Sequence, residues 1–272
     1  MSTVELETIG SVARITLNRP EKLNAIDAPM LDELESALDR AERADGVRAI
    51  LLDGNGRVFS AGFDMESATA SADKEPREDR LRRELTRDFN VIMRFWDCPK
   101  PTIAAVHGFC LGSSMEITAV CDVTLAAAGC RFGAPEVRYG SGIVCLVLPW
   151  IIGFKNANEL LLAGKNDIDA TQAAAMGLVN RVVAPEDLFD EARAMAEWIA
   201  SNDSLAVRLT KRAIHRSIEI AGFRRALEDA LELDIQIETT DTAESVAFNE
   251  MVEREGLKAA LNYRANQARN AN

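Results

Sequence analysis

Two glutamates near glycine turns are the residues of this sequence whose types and spacing could do chemistry. In 102–116 an apolar, strand-like run meets glycines and small residues, and Glu116 then falls in the first turn of an apolar helix. Glu136 follows Pro135 further along the chain. Backbone N–H groups that are free at a helix start point at whatever lies in front of them and favour negative charge. We therefore interpret the two glutamates as candidates for catalysis around one pocket.

Two glycine turns accompany the glutamates. They are Phe59-Ser60-Ala61-Gly62-Phe63-Asp64 and His107-Gly108-Phe109-Cys110-Leu111-Gly112-Ser113. Glycine allows backbone conformations that other residues avoid, and it lets a ligand approach the main chain closely. Two N–H groups that converge from separate turns can hold one oxygen that becomes negative during a reaction. The turns therefore predict an oxyanion hole beside the carboxyls.

Each of these residues also has a purely structural interpretation. Gly62 or Gly112 alone is more simply a turn residue, and Glu116 alone is more simply a carboxylate that the helix dipole stabilises. Glu136 alone, after Pro135, is equally consistent with a solvated loop. Only the combination of both turns and both carboxyls favours catalysis.

The composition limits the classes of function. The 272 residues suffice for one large domain, alone or with an appendage. A net charge of -12 argues against a nucleic-acid-binding surface. The five cysteines are an odd number without a CxxC pair and lie mostly in apolar stretches, so we expect reduced thiols in a cytoplasmic protein. The apolar run 143–152 is too short to cross a bilayer, and neither histidine has a partner at metal-binding spacing.

Hydrophobic periodicity predicts several strands. Ala13, Ile15 and Leu17 alternate with polar residues, as in a half-buried strand. Further strands are expected at 58–62, 102–106, 122–126 and 178–183, and a mobile loop is expected at 67–79.

Capping residues predict where helices begin and end. Asp27 is expected to cap one helix. Another should begin with a capping box of Asp169 and Gln172 and end at Gly177. From Asp187 onward the pattern is helical only. The expected fold class is therefore α/β, with a helical C-terminal region.

Several separated motifs together resemble the enoyl-CoA hydratase/isomerase (crotonase) family. These are Leu17-Asn18-Arg19-Pro20 with Asn24-Ala25, the turn 59–64, the stretch from Ala105-Val106-His107-Gly108 through Cys121-Asp122, and Pro135-Glu136. Four separated matches in the right order make the resemblance specific, although any single one would be weak. The resemblance covers about residues 5 to 200 closely and the helical tail more loosely.

This resemblance implies an architecture and a ligand. Residues 1–200 would form a crotonase-like spiral of ββα turns that holds the active site. Residues 201–272 would form a helical oligomerisation region that makes a trimer or a dimer of trimers. The substrate would be an acyl-CoA thioester, with no metal or organic cofactor, no nucleic acid and no membrane as partner.

The resemblance also assigns site residues. The backbone N–H groups of Phe63 and Ser113 would form the oxyanion hole, Glu116 would mainly activate water, and Glu136 would mainly protonate the α-carbon. The contacts with CoA and substrate would come from Lys22, Leu23, Ala25, Ala61, Gly62, Asp64, Met65 and Gly112.

Three departures from the family pattern affect the expected substrate. Ser113 stands where glycine is usual, Phe63 stands where a small residue is common, and 140–146 replaces a Pro-Gly-rich helix start. The leading hypothesis is a 2-enoyl-CoA hydratase, since both glutamates are present. The alternatives are an enoyl-CoA isomerase or another thioester reaction, and a non-catalytic acyl-CoA-binding relative. The acidic charge gives little support to RNA binding.

Overall fold

The strands form a large sheet and a small sheet. The computed structural model describes residues 2–65 and 75–270. The strand order of the large sheet is β1 (Val4–Ile9), β2 (Val12–Leu17), β3 (Ala49–Gly54), β4 (Thr102–Val106), β6 (Val123–Ala127) and β9 (Arg181–Val183). The strand order of the small sheet is β5 (Phe109–Leu111), β7 (Arg131–Gly133) and β8 (Ile168–Asp169). Pairs β1–β2 and β7–β8 are antiparallel and the other pairs are parallel.

Helices lie between these strands and then continue alone. Those of the first part are α1 (Ala28–Arg43), α2 (Arg77–Asp97), α3 (Ser113–Val120), α4 (Leu148–Ile151), α5 (Gly153–Leu162), α6 (Ala170–Met176) and α7 (Leu188–Ser201). They are followed by α8 (Ser204–Ile220), α9 (Phe223–Thr239), α10 (Ala243–Glu255) and α11 (Leu257–Asn270). The predicted α/β core with a helical C-terminal region is confirmed. The proposed division at residue 200 stays a prediction.

Helices cover both faces of the large sheet. One apolar cluster joins the sheet to α1, α2 and α3, and a second joins its other face to α7. The prediction of a half-buried β2 was therefore wrong, because Val12 and Thr16 on its second face are 0% and 3% exposed. Arg14 is the residue of β2 that reaches the surface, where its guanidinium lies 4.2 Å from the centre of the Phe189 ring of α7.

The predicted helix caps are confirmed. The Asp27 carboxylate accepts a hydrogen bond from Met30 N–H at the start of α1. Asp169 and Gln172 form both bonds of a capping box at α6, and Gly177 ends that helix with a positive φ of 86°. These predictions succeeded because a cap depends on residues within one turn of the helix end.

Three predicted segments differ from the structure. Residues 58–62 do not form a regular strand, and they make only an isolated bridge between Ser60 and Cys110. Most of the loop expected at 67–79 lies outside the described residues, and its end is already helical, because α2 begins at Arg77. The strand expected at 178–183 is shorter, since β9 begins at Arg181.

The C-terminal helices return to the core. Helix α9 packs against α2, and α10 packs against the 3-10 turn Glu136–Tyr139. Tyr139 stacks on Phe248 of α10, with ring centres 5.1 Å apart.

All five cysteines are free, as predicted, and four of them are buried. No helix in the described ranges has the length and apolar character needed to span a bilayer.

Candidate active site

The two predicted glycine turns meet in the structure. Gly62 has a φ of 91° and Gly112 a φ of 56°, values that side-chain-bearing residues rarely adopt. A Cβ placed on Gly62 would lie 2.8 Å from Leu111 O and 3.5 Å from Ser113 N. The two turns therefore approach each other at distances that only glycine allows.

Both predicted oxyanion donors are available beside this contact. Ile26 N–H donates to Gly62 O, and Asp64 N–H donates to Ile26 O. The N–H of Phe63, which lies between Gly62 and Asp64 in the chain, takes no part in this pairing. Ser113 is the first residue of α3, so its N–H is one of those that an α-helix leaves without an internal acceptor. Within the described residues neither N–H has a hydrogen-bond acceptor.

Glu136 reaches the same point from the small sheet. Strands β5 and β7 are parallel, and Leu111 pairs with Gly133 at their common end. Gly112 N–H donates to Gly133 O at 2.8 Å, and Glu136 begins the 3-10 turn that follows. The Glu136 carboxylate lies so close to Gly112 that a Cβ on this glycine would overlap Oε1.

Glu116 lies in the first turn of α3, as the sequence predicted. Its side chain is buried, with 3% exposure, and Oε2 accepts a hydrogen bond of 2.9 Å from Cys145 N–H. Every residue of α3 is buried, so the helix fixes the carboxyl in an apolar setting. The site therefore contains two carboxyls and two free N–H groups around the glycine contact.

The pKa values of both glutamates are raised. Burial raises the pKa of Glu116 well above its ordinary value, and the charge of Glu136 raises it further, while the Cys145 N–H bond opposes this. Burial raises the pKa of Glu136 to about 7, with further contributions from Asp234 and Glu238. Because two close carboxylates repel, the pair retains a proton at pH values where an isolated glutamate would have lost it.

The residues predicted to contact CoA form a neighbouring strip of backbone. Segment 22–26 runs beside segment 61–64, and Ala61 N–H donates to Leu23 O at 3.0 Å. Leu23 has a φ of 56°, which is unusual for a residue with a side chain. Lys22 is exposed, whereas Ala25, Ala61, Asp64 and Met65 are partly buried.

Buried polar side chains hold this strip in place. Asn24 is fully buried, and its amide nitrogen donates to the carbonyls of Asn55, Val58 and Phe59. Ser60 Oγ donates to Asn24 O and accepts from Gly62 N–H at 3.1 Å. A guanidinium joins the two segments as well, since Arg19 contacts Asp64 at 2.6 Å. The structure thus brings together the predicted CoA residues and one of the two glycine turns.

Sequence analysis missed a group of carboxyls behind the glutamates. Asp234 and Glu238 of α9 and Asp88 of α2 all contribute to the electrostatics of the site. One signal was available, since Asp234 follows Leu227 by seven positions and Leu231 by three, which puts a carboxyl on the apolar face of α9. No group of three or more potential metal ligands occurs in the ranges that the structure describes.

Comparison with known proteins gives a consistent result. The family model of enoyl-CoA hydratase/isomerase matches residues 7–259. The short-chain-enoyl-CoA hydratase of Clostridium acetobutylicum is 35% identical over 267 residues, which cover 96% of this chain and 94% of that protein. A putative enoyl-CoA hydratase of Thermus thermophilus is 36% identical over 226 residues, with 82% and 86% covered.

A solved structure shares the whole fold. The crystal structure of an enoyl-CoA hydratase/isomerase from Xanthobacter autotrophicus Py2 superposes with a TM-score of 0.93 at 45% sequence identity. The match covers 98% of this chain and 98% of that chain. The likeness therefore includes the C-terminal helices as well as the sheets.

Proposed function

The chain belongs to the enoyl-CoA hydratase/isomerase family, and from this premise we propose that it adds water across the 2,3 double bond of 2-enoyl-CoA thioesters. The observation that supports hydration most is the placement of two carboxyls, Glu116 and Glu136, at the contact between Gly62 and Gly112. Hydration needs one group that takes a proton from water and one that gives a proton to carbon. Two carboxyls close to each other support the assignment of both roles to this site.

The proposed reaction follows from these groups. The N–H groups of Phe63 and Ser113 bind the thioester oxygen, which gains negative charge when water oxygen bonds to the β-carbon. Glu116 accepts the proton that this water loses, and Glu136 donates a proton to the α-carbon. The carbon–carbon double bond is consumed, and the product is a 3-hydroxyacyl thioester. Preorganised donors of this kind typically lower the barrier by about 3 to 4 kcal/mol each.

The electrostatics support a carboxyl pair that carries a proton. A carboxyl that donates a proton near neutral pH needs a raised pKa, and Glu136 has a pKa of about 7 because it is buried near other acids. Glu116 must be ionised to act as a base; burial and the charge of Glu136 raise its pKa, and the Cys145 N–H bond is the contact that opposes this and favours the ionised form. The mechanism that we propose requires neither a metal nor an organic cofactor.

Replacement of one carboxyl tests the proposal. Glu136→Gln keeps the shape of the side chain and removes the transferable proton, so hydration of crotonyl-CoA should fall by at least about a hundredfold. The measurement is the loss of the conjugated absorbance, with the exposed Glu191→Gln variant as a control of equal charge change. Turnover of Glu136→Gln at the rate of the unchanged protein would contradict the mechanism.

A second substrate distinguishes hydration from isomerisation. An isomerase moves a proton between carbons and often needs only one of the two carboxylates, so the presence of both favours hydration. If 3-enoyl-CoA is converted to 2-enoyl-CoA faster than 2-enoyl-CoA is hydrated, isomerisation is the main activity. If CoA thioesters bind without turnover, the protein is a non-catalytic relative.

We also propose a homo-oligomer, a trimer or a dimer of trimers, in the cytoplasm. Support for an oligomer comes from exposed apolar side chains on α8, namely Leu205, Leu209, Ile214 and Ile220. Support for the cytoplasm comes from the five free thiols. Light scattering after size-exclusion chromatography measures the number of subunits in the assembly. A monomer at micromolar concentration would contradict the proposed oligomer.

A further inference from the structure

Asp234 is a buried carboxyl to which no described residue donates a hydrogen bond. It is 2% exposed, and neither Oδ1 nor Oδ2 has a partner within the described residues. A buried polar group that lacks a partner costs stability, and native proteins retain few of them. The position on α9 is otherwise apolar, since Leu231 and Ile235 beside it are buried core residues.

The Asp234 carboxyl lies against the loop 140–146, which also contacts both catalytic carboxyl residues. A Cβ on Gly142 would overlap Asp234 Oδ1, so this glycine leaves space for the carboxyl. In the same loop, Cys145 N–H donates to Glu116 Oε2 at 2.9 Å and Ser141 N–H donates to Glu136 O at 3.2 Å. Asp234 thus packs against the same loop that Glu116 and Glu136 contact.

Further carboxyls surround this position. Asp234 has a pKa raised to about 7, through burial and then the charges of Glu238 and Asp88. Its charge in turn raises the pKa of Glu116 and of Glu136. Glu238 differs from Asp234 because it accepts hydrogen bonds from Ser141 Oγ and Gly142 N–H. Unlike Glu238, Asp234 therefore has both oxygens without a donor among the described residues.

We propose that Asp234 determines specificity by accepting a hydrogen bond from an O–H or N–H group on the acyl chain, beyond the reacting carbons. The inference rests on the proposed function and names the substrate class of the same site: 2-enoyl-CoA thioesters that carry a hydroxyl or amino group. A site whose buried polar group needs a partner rejects an analogue that lacks the partner, because the group then stays unpaired.

A substrate panel tests this inference. The panel contains 2-enoyl-CoA thioesters of four and six carbons, each with a methyl, a hydroxymethyl or an aminomethyl terminus. The unchanged protein should hydrate the hydroxyl or amino compound with a kcat/KM at least about tenfold above that of the methyl compound of the same length. The hydroxyl and amino arms distinguish a neutral donor from a cation.

Two variants assign the preference to Asp234. Asp234→Leu removes both acceptors at similar size and should abolish the preference, whereas Asp234→Asn keeps one acceptor and should retain part of it. Asp229→Asn is the matched control, since Asp229 lies on the exposed face of the same helix. Its preference should equal that of the unchanged protein. Thermal unfolding of each variant shows whether it is folded.

Binding separates this inference from the proposed function. Calorimetry with the saturated four-carbon thioesters, with and without a terminal hydroxyl, requires no turnover. Tighter binding of the hydroxyl compound, lost in Asp234→Leu, supports the role of Asp234 even if no thioester is hydrated. Equal binding of both compounds, or an equal preference in Asp234→Leu, overturns it, and the hydratase proposal is unaffected.

Discussion

Asp122 and Asp234 are both withdrawn from solvent, yet their surroundings are opposite. Asp122 accepts hydrogen bonds from Thr102 N–H and His215 Nε2 and pairs with Lys211 at 2.7 Å. Burial alone would raise its pKa, but these bonds from His215 and Lys211 lower it. Among the described residues Asp234 has no hydrogen-bond partner, and its pKa is raised to about 7.

The glutamates of the candidate site lie at the end of the sheet opposite to Asp122. Asp122 bonds Thr102, the first residue of β4, whereas the two glutamates of the candidate site lie beyond the end of that strand, around Gly112. One end thus has satisfied polar groups, which stabilise the fold, and the other has unsatisfied polar groups, which remain available to a ligand. Proteins typically break local rules of stability at functional sites, and the predictions below test that contrast.

The largest expected effect is at Gly112. In Gly112→Ala the new Cβ would overlap Glu136 Oε1, so the carboxyl must move and hydration should fall by about a hundredfold or more. Gly129→Ala is the matched control, because Gly129 also has a positive φ, of 86°, but has open space around its Cα. The measurement is kcat for both variants. Equal activity of the two would show that the contact between Gly112 and Glu136 does not matter.

The next effect concerns stability at the other end of the sheet. Asp122→Asn leaves Lys211, which is 8% exposed, without its carboxylate, and it should lower the free energy of unfolding by about 3 kcal/mol with little change in kcat. Because the pKa of Asp122 is lowered, its contribution is present at neutral pH and is lost as pH falls through that pKa.

Urea unfolding at pH 7 and at low pH measures this effect. The exposed Asp190→Asn variant is the control, since its ion pair with Arg193 lies at the surface and should contribute little. A loss of kcat in Asp122→Asn without a loss of stability would remove the contrast between the two ends.

The smallest effect is a shift in pH dependence. Hydration needs the pair to hold one proton, on Glu136, so kcat/KM should fall at low pH, where Glu116 is also protonated, and should fall again as pH rises through about 7, where Glu136 loses its proton. The charge of Asp234 helps to raise the pKa of Glu136, and Asp234→Asn should therefore move this second fall to lower pH. A pH–rate profile of both proteins measures the shift. A move to higher pH would contradict the assigned coupling.

The sequence predicted those parts of the site that depend on local signals. Gly62, Gly112 and the helix start before Glu116 are recognisable because positive φ values and helix caps depend on a few adjacent residues. Glu136 was predictable from the motif around Pro135. A catalytic role for these residues was predicted only from the separated motifs in combination, since each signal alone has a structural interpretation.

The remaining features depend on packing between distant segments. Helix α7 packs on the second face of β2, so alternation alone gave the wrong exposure for Thr16. Cys145 N–H reaches Glu116 only through the path of an irregular loop. Asp234 lies more than a hundred positions beyond Glu116, and only its place on an apolar helix face indicated an unusual role.

A crystal structure with a bound saturated thioester, butanoyl-CoA, tests the central claim most directly. We expect the thioester oxygen within about 3 Å of both Phe63 N and Ser113 N. The carboxyls of Glu116 and Glu136 should then face the α- and β-carbons. A thioester oxygen bound away from these two N–H groups, or an acyl chain beyond the reach of both carboxyls, would contradict the account.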